Sequence, residues 1–124
     1  MIVVDSSIWI DFLRRPHDRI FRLIEQDTLL QHPFVTGEVG MGSFASAAVR
    51  FETIKVLFDL APLAVVPDAE FHTFVGDNML YGTGAGFVDC HLLASLSRVS
   101  DARLWTSDGR LAALANRLEL PLYG

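Results

Sequence analysis

Residues 1–13, MIVVDSSIWIDFL, decide the fold. The first four form an apolar run rich in β-branched side chains, the composition of a strand buried in a parallel sheet. The run stops at Asp5, and Ser6 or Ser7 offers an oxygen that can cap a helix. Ile8, Trp9, Phe12 and Leu13 then recur at helical spacing. A strand that turns straight into a helix opens an alternating α/β fold. The carboxylate at the corner poses the chemical question, because a charge moved out of water is costly unless something compensates it.

The rest of the chain repeats the alternation. Pro16 breaks the first helix, and Ile20, Phe21, Leu23 and Ile24 continue as a second amphipathic helix toward Glu25. Residues 29–35 are ambiguous, since Pro33 interrupts them. Gly37, Gly40 and Gly42 then sit in a stretch that is at best a weak helix. Residues 46–60 read as a good helix and residues 63–66 as a second strand ended by Pro67. Asp68 is placed to cap a helix running to about Leu80. A glycine-rich turn at 81–86 leads into an apolar helix over 87–99. Residues 103–106 read as a third strand, 110–118 as a helix and 120–123 as a short closing strand. There is no repeat, low-complexity tract or linker, so residues 1–124 are expected to form a single domain. The expected class is α/β, a central parallel β-sheet flanked by helices on both faces.

Composition narrows the setting. Hydrophobic residues make up 51% of the 124 residues, and the mean hydropathy is +0.34. No stretch approaches the ~18 unbroken apolar residues of a membrane span, and the first residues lack the basic flank of a signal peptide. The single cysteine, Cys90, has no partner for an internal disulfide. A cytoplasmic protein is expected. The apolar surplus fits either a core or an interface with a second chain. The net charge of -5 argues, taken alone, against nucleic acid. The charge is uneven, however: Arg14, Arg15, Arg19 and Arg22 crowd into nine residues, a run that is most simply a solvated helical face. Lys55 is the only lysine.

Four of the fifteen acids stand in apolar or turn contexts that ask for a reason. Asp5 ends the first strand, and Asp108 follows the third in RLWTSDGRL. Glu38 sits in PFVTGEVGMG, and Asp89 opens an apolar helix in GAGFVDCHLLASL. Sites in open α/β sheets form at the carboxyl ends of strands, where Asp5 and Asp108 lie and toward which Asp89 can point. Clustered carboxylates repel, and one takes up a proton unless a cation sits between them. A hard, all-oxygen donor set selects Mg²⁺ or Mn²⁺. Asp5, Asp89 and Asp108 each read equally as helix caps, and any one acid taken alone is more often structural than catalytic. Asp59 reads as a helix end and Asp11 as a solvent-facing helical residue.

Other chemistry is weaker. Cys90 and His91 are adjacent, so on a helix they diverge by ~100° and form no nucleophile–base pair. Cys90 is expected in the core. His17, His32 and His72 have no metal-ligand spacing. Gly82-Thr83-Gly84-Ala85-Gly86 lacks the lysine of a phosphate loop.

Asp5-Ser6-Ser7 after a strand, His32-Pro33-Phe34-Val35 running into Gly37-Glu38, Gly86-Phe87-Val88-Asp89 opening a helix, and Thr106-Ser107-Asp108 after a strand together resemble the PIN-domain ribonucleases. The nearest resemblance is to the VapC-like toxins of bacterial VapBC toxin–antitoxin modules, and it spans essentially the whole chain. It implies an Mg²⁺- or Mn²⁺-dependent endoribonuclease with a PIN-like sheet. Asp5, Glu38 and Asp89 match the family's three acids, and Asp108 a fourth that varies among PIN domains. Thr106 matches a hydroxyl that supports the site. The resemblance also implies an RNA substrate, a homodimer and inhibition by a VapB-like antitoxin, with DNA met only through that antitoxin.

Three rivals are distinguishable. Haloacid-dehalogenase-like phosphatases place a second Asp two residues after the first, where this chain has Ser7. Receiver domains need an acidic pair after the first strand and a lysine at a late strand end, and Lys55 falls inside a helical stretch. A degenerate PIN module serving RNA processing or protein binding would lack some of the acids, and all four are present.

Overall fold

The structure is a computed structural model that describes all 124 residues. Strand β1 (Ile2–Val4) runs directly into helix α1 (Ser6–Arg14), and α2 (Asp18–Glu25) leads to β2 (Leu29–Gln31). Helices α3 (Pro33–Gly40) and α4 (Ala47–Asp59) precede β3 (Ala61–Pro62). Then come α5 (Asp68–Asp77), α6 (Phe87–Leu96), β4 (Arg103–Trp105) and α7 (Gly109–Arg117). The four strands form one parallel sheet in the order β3-β2-β1-β4, flanked by the seven helices. This is the expected α/β class.

The strand order reverses beside β1. Its successor in sequence, β2, lies on one side, and the last strand, β4, on the other, with Val4 opposite Trp105. The crevice beyond the carboxyl ends at such a reversal is where open α/β sheets build their sites. Asp5 and Thr106 directly follow these two strands.

The core explains the apolar surplus in part. Nineteen buried residues form one cluster around β1, with Val3, Val4, Leu92, Leu93, Leu104 and Leu111 wholly shielded from solvent. Each such Val or Leu contributes roughly 1.5–3 kcal/mol relative to an exposed position. Along α6, every residue from Cys90 to Leu96 is buried, as an all-round apolar helix requires. Cys90 is a core residue, as expected. Phe51, Phe58 and Phe21 remain exposed on α4 and α2.

Several expectations need correction. The ambiguous residues 29–35 divide into β2 and the start of α3, with buried His32 as N-cap and Pro33 in the first turn. Pro33 therefore starts a helix and does not interrupt a strand. The strand expected at residues 63–66 lies earlier, at Ala61–Pro62. Leu63 still donates its N–H to the Gln31 carbonyl, and Leu63 and Val66 are buried, so their apolar character reflects packing beyond the ladder. Residues 120–123 give only an isolated bridge, Leu104 to Leu122. The helix expected to be capped by Asp68 is instead capped at Pro67 and ends at Asp77. Helix α6 stops at Leu96, three residues short of the expected end.

The glycines around Glu38 have a packing role. A Cβ on Gly40 would lie 2.9 Å from Ile54 Cδ1, and the Gly40 carbonyl accepts a 2.8 Å hydrogen bond from Arg50 Nε. Glycine thus lets α3 approach α4, and cap, proline and packing hold a helix that propensity alone would not.

Candidate active site

Asp5 is the N-cap of α1 and is only 3% exposed. Its backbone N–H donates to the Trp105 carbonyl at 3.0 Å, which ties the ends of β1 and β4 together. Its carboxylate is asymmetric. Oδ2 accepts from Ser7 Oγ at 2.7 Å, Thr106 Oγ1 at 2.8 Å and the Ser7 N–H at 3.4 Å. Oδ1 has only a 3.5 Å contact from Ser6 Oγ, so its lone pairs are largely free.

Both hydroxyls are themselves held by the β4–α7 loop. Ser107 N–H donates to Ser7 Oγ at 3.0 Å, and Asp108 N–H donates to Thr106 Oγ1 at 3.0 Å. Each hydroxyl has one proton, and pointing it at Asp5 satisfies these donors in series. Thr106 therefore sits where a supporting hydroxyl is useful. Ser7 and Ser107 share the task, a role the sequence reading did not assign to either. Their signal is the DSS and TSD triplets, each a carboxylate beside two hydroxyls at a strand end.

The other three acids meet Asp5 from separate helices. Glu38 lies on α3, and burial raises its pKa. A hydrogen bond from Ser6 opposes that shift and the Asp5 charge adds to it. Asp89 lies in the first turn of α6, and its pKa is pushed up to about 6. Burial is the main cause, followed by the charges of Asp5, Glu38 and Asp108. Asp108 is the N-cap of α7, where Oδ1 accepts from the Arg110 N–H at 2.9 Å and the Leu111 N–H at 3.3 Å. The cap reading thus holds for Asp5 and Asp108, but it leaves the mutual repulsion of the four carboxylates unexplained.

No basic side chain balances them. The ion pairs of the chain are His72–Asp68 and Arg98–Glu70, and neither involves these acids. Arg110, beside Asp108, sends Nη1 to the Gly84 carbonyl at 2.9 Å and braces the turn that precedes α6. Gly82 and Gly84 in that turn have φ of 71° and 80°, which favour glycine. Arg110 is a further site-shaping residue that the sequence does not single out.

The donor set suits a hard divalent ion: oxygen ligands, unbalanced negative charge and a free Asp5 Oδ1. The side chains do not form a closed cage as they stand, because no three acidic, histidine or cysteine groups are close enough to hold one ion. The proton affinity of Asp89 is the clearer signal, since it registers all three neighbours. Asp59 ends α4 as expected. Asp11 is exposed but accepts a hydrogen bond from Ser107 Oγ at 3.1 Å.

No family model matches the chain. Ribonuclease VapC32, found in two strains of Mycobacterium tuberculosis, is 40% identical over 113 residues, covering 91% of this chain and 89% of its own. The crystal structure of PAE2754 from Pyrobaculum aerophilum matches with a TM-score of 0.65 at 20% identity, over 91% of this chain and 83% of that one. At that identity the likeness is one of fold.

Proposed function

The chain belongs to the VapC ribonuclease family, and from that premise we propose that it is a metal-dependent endoribonuclease, the toxin of a type II toxin–antitoxin pair. The observation that carries the reading is the gathering of Asp5, Glu38, Asp89 and Asp108 with no basic side chain paired to any of them, which together with burial pushes the pKa of Asp89 up to about 6. Such a cluster is kept at a sheet-edge crevice when a ligand needs its charge.

Asp5 and Asp89 are the principal ligands for Mg²⁺ or Mn²⁺, with Glu38 and Asp108 completing the set. A divalent ion there supplies charge stabilisation at a phosphodiester and lowers the pKa of water. The residues do the rest. Ser7 and Thr106 fix Asp5 with Oδ2 occupied and Oδ1 open. Ser6 reaches both Asp5 and Glu38, and its single proton serves one carboxylate at a time. Asp89 would offer its carboxylate to such an ion from the first turn of α6, and Asp108 keeps the α7 terminus fixed. A purely binding module has no need of four unbalanced carboxylates.

A VapB-like antitoxin and a second copy of the chain are the proposed protein partners, and DNA is reached only through the antitoxin. An apolar cleft lined by Trp9, Phe12, Leu13, Phe21, Ile24 and Val56 offers surface for such contacts. No helix is long and apolar enough to cross a membrane, and a cytoplasmic site of action is part of the proposal.

The test is cleavage of RNA by the purified chain. Cleavage is expected with Mg²⁺ or Mn²⁺, loss with a chelator, and suppression by the antitoxin encoded beside it. Undiminished cleavage in the chelator would refute the metal-dependent reading.

A further inference from the structure

The four arginines near the junction of α1 and α2 are used differently, and Arg22 lies in the last turn of α2. Arg19 is used in packing: its guanidinium lies 5.5 Å from the Trp105 ring centre and 5.1 Å from that of Tyr123. Arg14 and Arg15 are not. They are exposed at the end of α1, where Arg14 closes the last turn and Arg15 is the C-cap. Together with Asp11 and His17 they line an open cleft of about 490 Å³ that has no apolar residue in its wall. Neither arginine is in an ion pair, although Asp11 is beside them. Asp11 is instead hydrogen-bonded by Ser107 Oγ.

That hydrogen bond joins the cleft to the acidic site. From Asp5 Oδ2 the path runs through Ser7 Oγ at 2.7 Å, the Ser107 N–H at 3.0 Å and the Ser107 Oγ to Asp11 Oδ2 at 3.1 Å. Two guanidinium groups outside any ion pair thus line a cleft whose Asp11 is linked through Ser107 and Ser7 to Asp5. The contrast matters for a chain of net charge -5, because an acidic crevice repels a polyanion that has to enter it.

We propose that the cleft between the end of α1 and the start of α2 is a subsite for a backbone phosphate of single-stranded RNA next to the one being cut, with Arg14 and Arg15 as its cations. This rests on the ribonuclease reading of the adjoining acids. Arginine forks match phosphate oxygens in pairs, which a solvated face does not require. The wall also favours RNA over a segment of a protein partner. The cleft has no apolar residue to anchor a helix or strand of a partner, and an acidic peptide, the remaining protein ligand for paired arginines, is tested as the alternative below. Arg14 and Arg15 are positioning residues, acting on the strand and not on the reacting atoms.

The experiment measures binding of a labelled, mixed-sequence, single-stranded oligoribonucleotide to the full chain across a salt series. It compares wild type, the double variant Arg14→Ala/Arg15→Ala, the double variant Arg14→Lys/Arg15→Lys, and Arg98→Ala as a distant control. Both target arginines are exposed, and a thermal melt of each preparation verifies folding. The Ala variant is expected to bind about tenfold more weakly, with a salt slope smaller by about 0.7 for each phosphate that is no longer neutralised. Lysine restores part of the affinity, Arg98→Ala changes nothing, and in cleavage assays the Ala variant raises KM far more than it lowers kcat. Unchanged affinity and slope in the Ala variant overturn the subsite while leaving the nuclease reading intact. So does a result in which only binding of an acidic peptide or of the antitoxin weakens. Weakened RNA binding beside a wild type that binds but never cuts RNA supports the subsite and refutes the nuclease reading.

Discussion

Asp89 shows how one residue reports on a whole site. Its carboxyl titrates at about 6 in the folded chain and at about 3.9 when unfolded. Between those values the folded state holds more protons, so the metal-free protein loses stability as pH rises through about 6. His32 works in the opposite sense. Burial first, and then His91, depress its pKa to about 4, and its contribution to stability grows as pH rises. The two are separated by comparing wild type with Asp89→Asn in a chelator, since His32 is common to both. The melting advantage of the Asn variant should grow from about pH 4 to about pH 7, reaching about 1–2 kcal/mol for a half-buried carboxyl. An advantage that stays flat with pH would show that neither burial nor the neighbouring acids raise the pKa of Asp89. At this scale the sequence is informative about the acids and poor about their support. Asp5, Glu38, Asp89 and Asp108 stand out because apolar neighbours make them conspicuous. Ser7, Ser107 and Arg110 look like ordinary polar residues until the fold sets them beside Asp5 and Gly84.

Among the elements, α3 is the one whose sequence and structure pull apart. Gly37 and Gly40 flank Glu38 in a helix that presents it to the site. They differ in kind. A Cβ at Gly40 meets Ile54, whereas at Gly37 it meets nothing within 4 Å. Gly37→Ala should therefore stabilise the protein by about 0.5–1 kcal/mol through helix propensity and a less flexible unfolded chain. Gly40→Ala should gain less, because Ile54 must shift. Denaturant melts of both variants check this, and a loss of stability in Gly37→Ala would mean that α3 needs more than its cap and packing. Local signals locate α1, α4 and α7 well, since each carries an apolar stripe or cap, and α6 by its unbroken apolar run. They fail at β2 and β3. These strands are three and two residues long and lie beside prolines, and their pairing depends on neighbours distant in sequence.

For the molecule as a whole, the parallel sheet is legible from its alternating elements, but the strand order is not. The order matters most for function, because the reversal beside β1 brings Asp5 and Thr106 together across about a hundred residues. The central claim is that this crevice holds a divalent ion on carboxylates that otherwise repel one another. Asp5→Asn tests it with little structural disturbance. The amide oxygen can take the bonds of Oδ2 from Ser7 and Thr106 and still cap α1, so the charge and the free Oδ1 acceptor are what is lost. Metal-free, the variant should be as stable as wild type or more so, since repulsion is relieved. A ligand that binds the folded state raises its melting temperature by an amount that grows with its affinity. The measurement is the shift in melting temperature on adding Mn²⁺ to wild type and to Asp5→Asn. A clear shift in wild type that largely disappears in the variant is the predicted result; an equal shift in both would contradict the metal site.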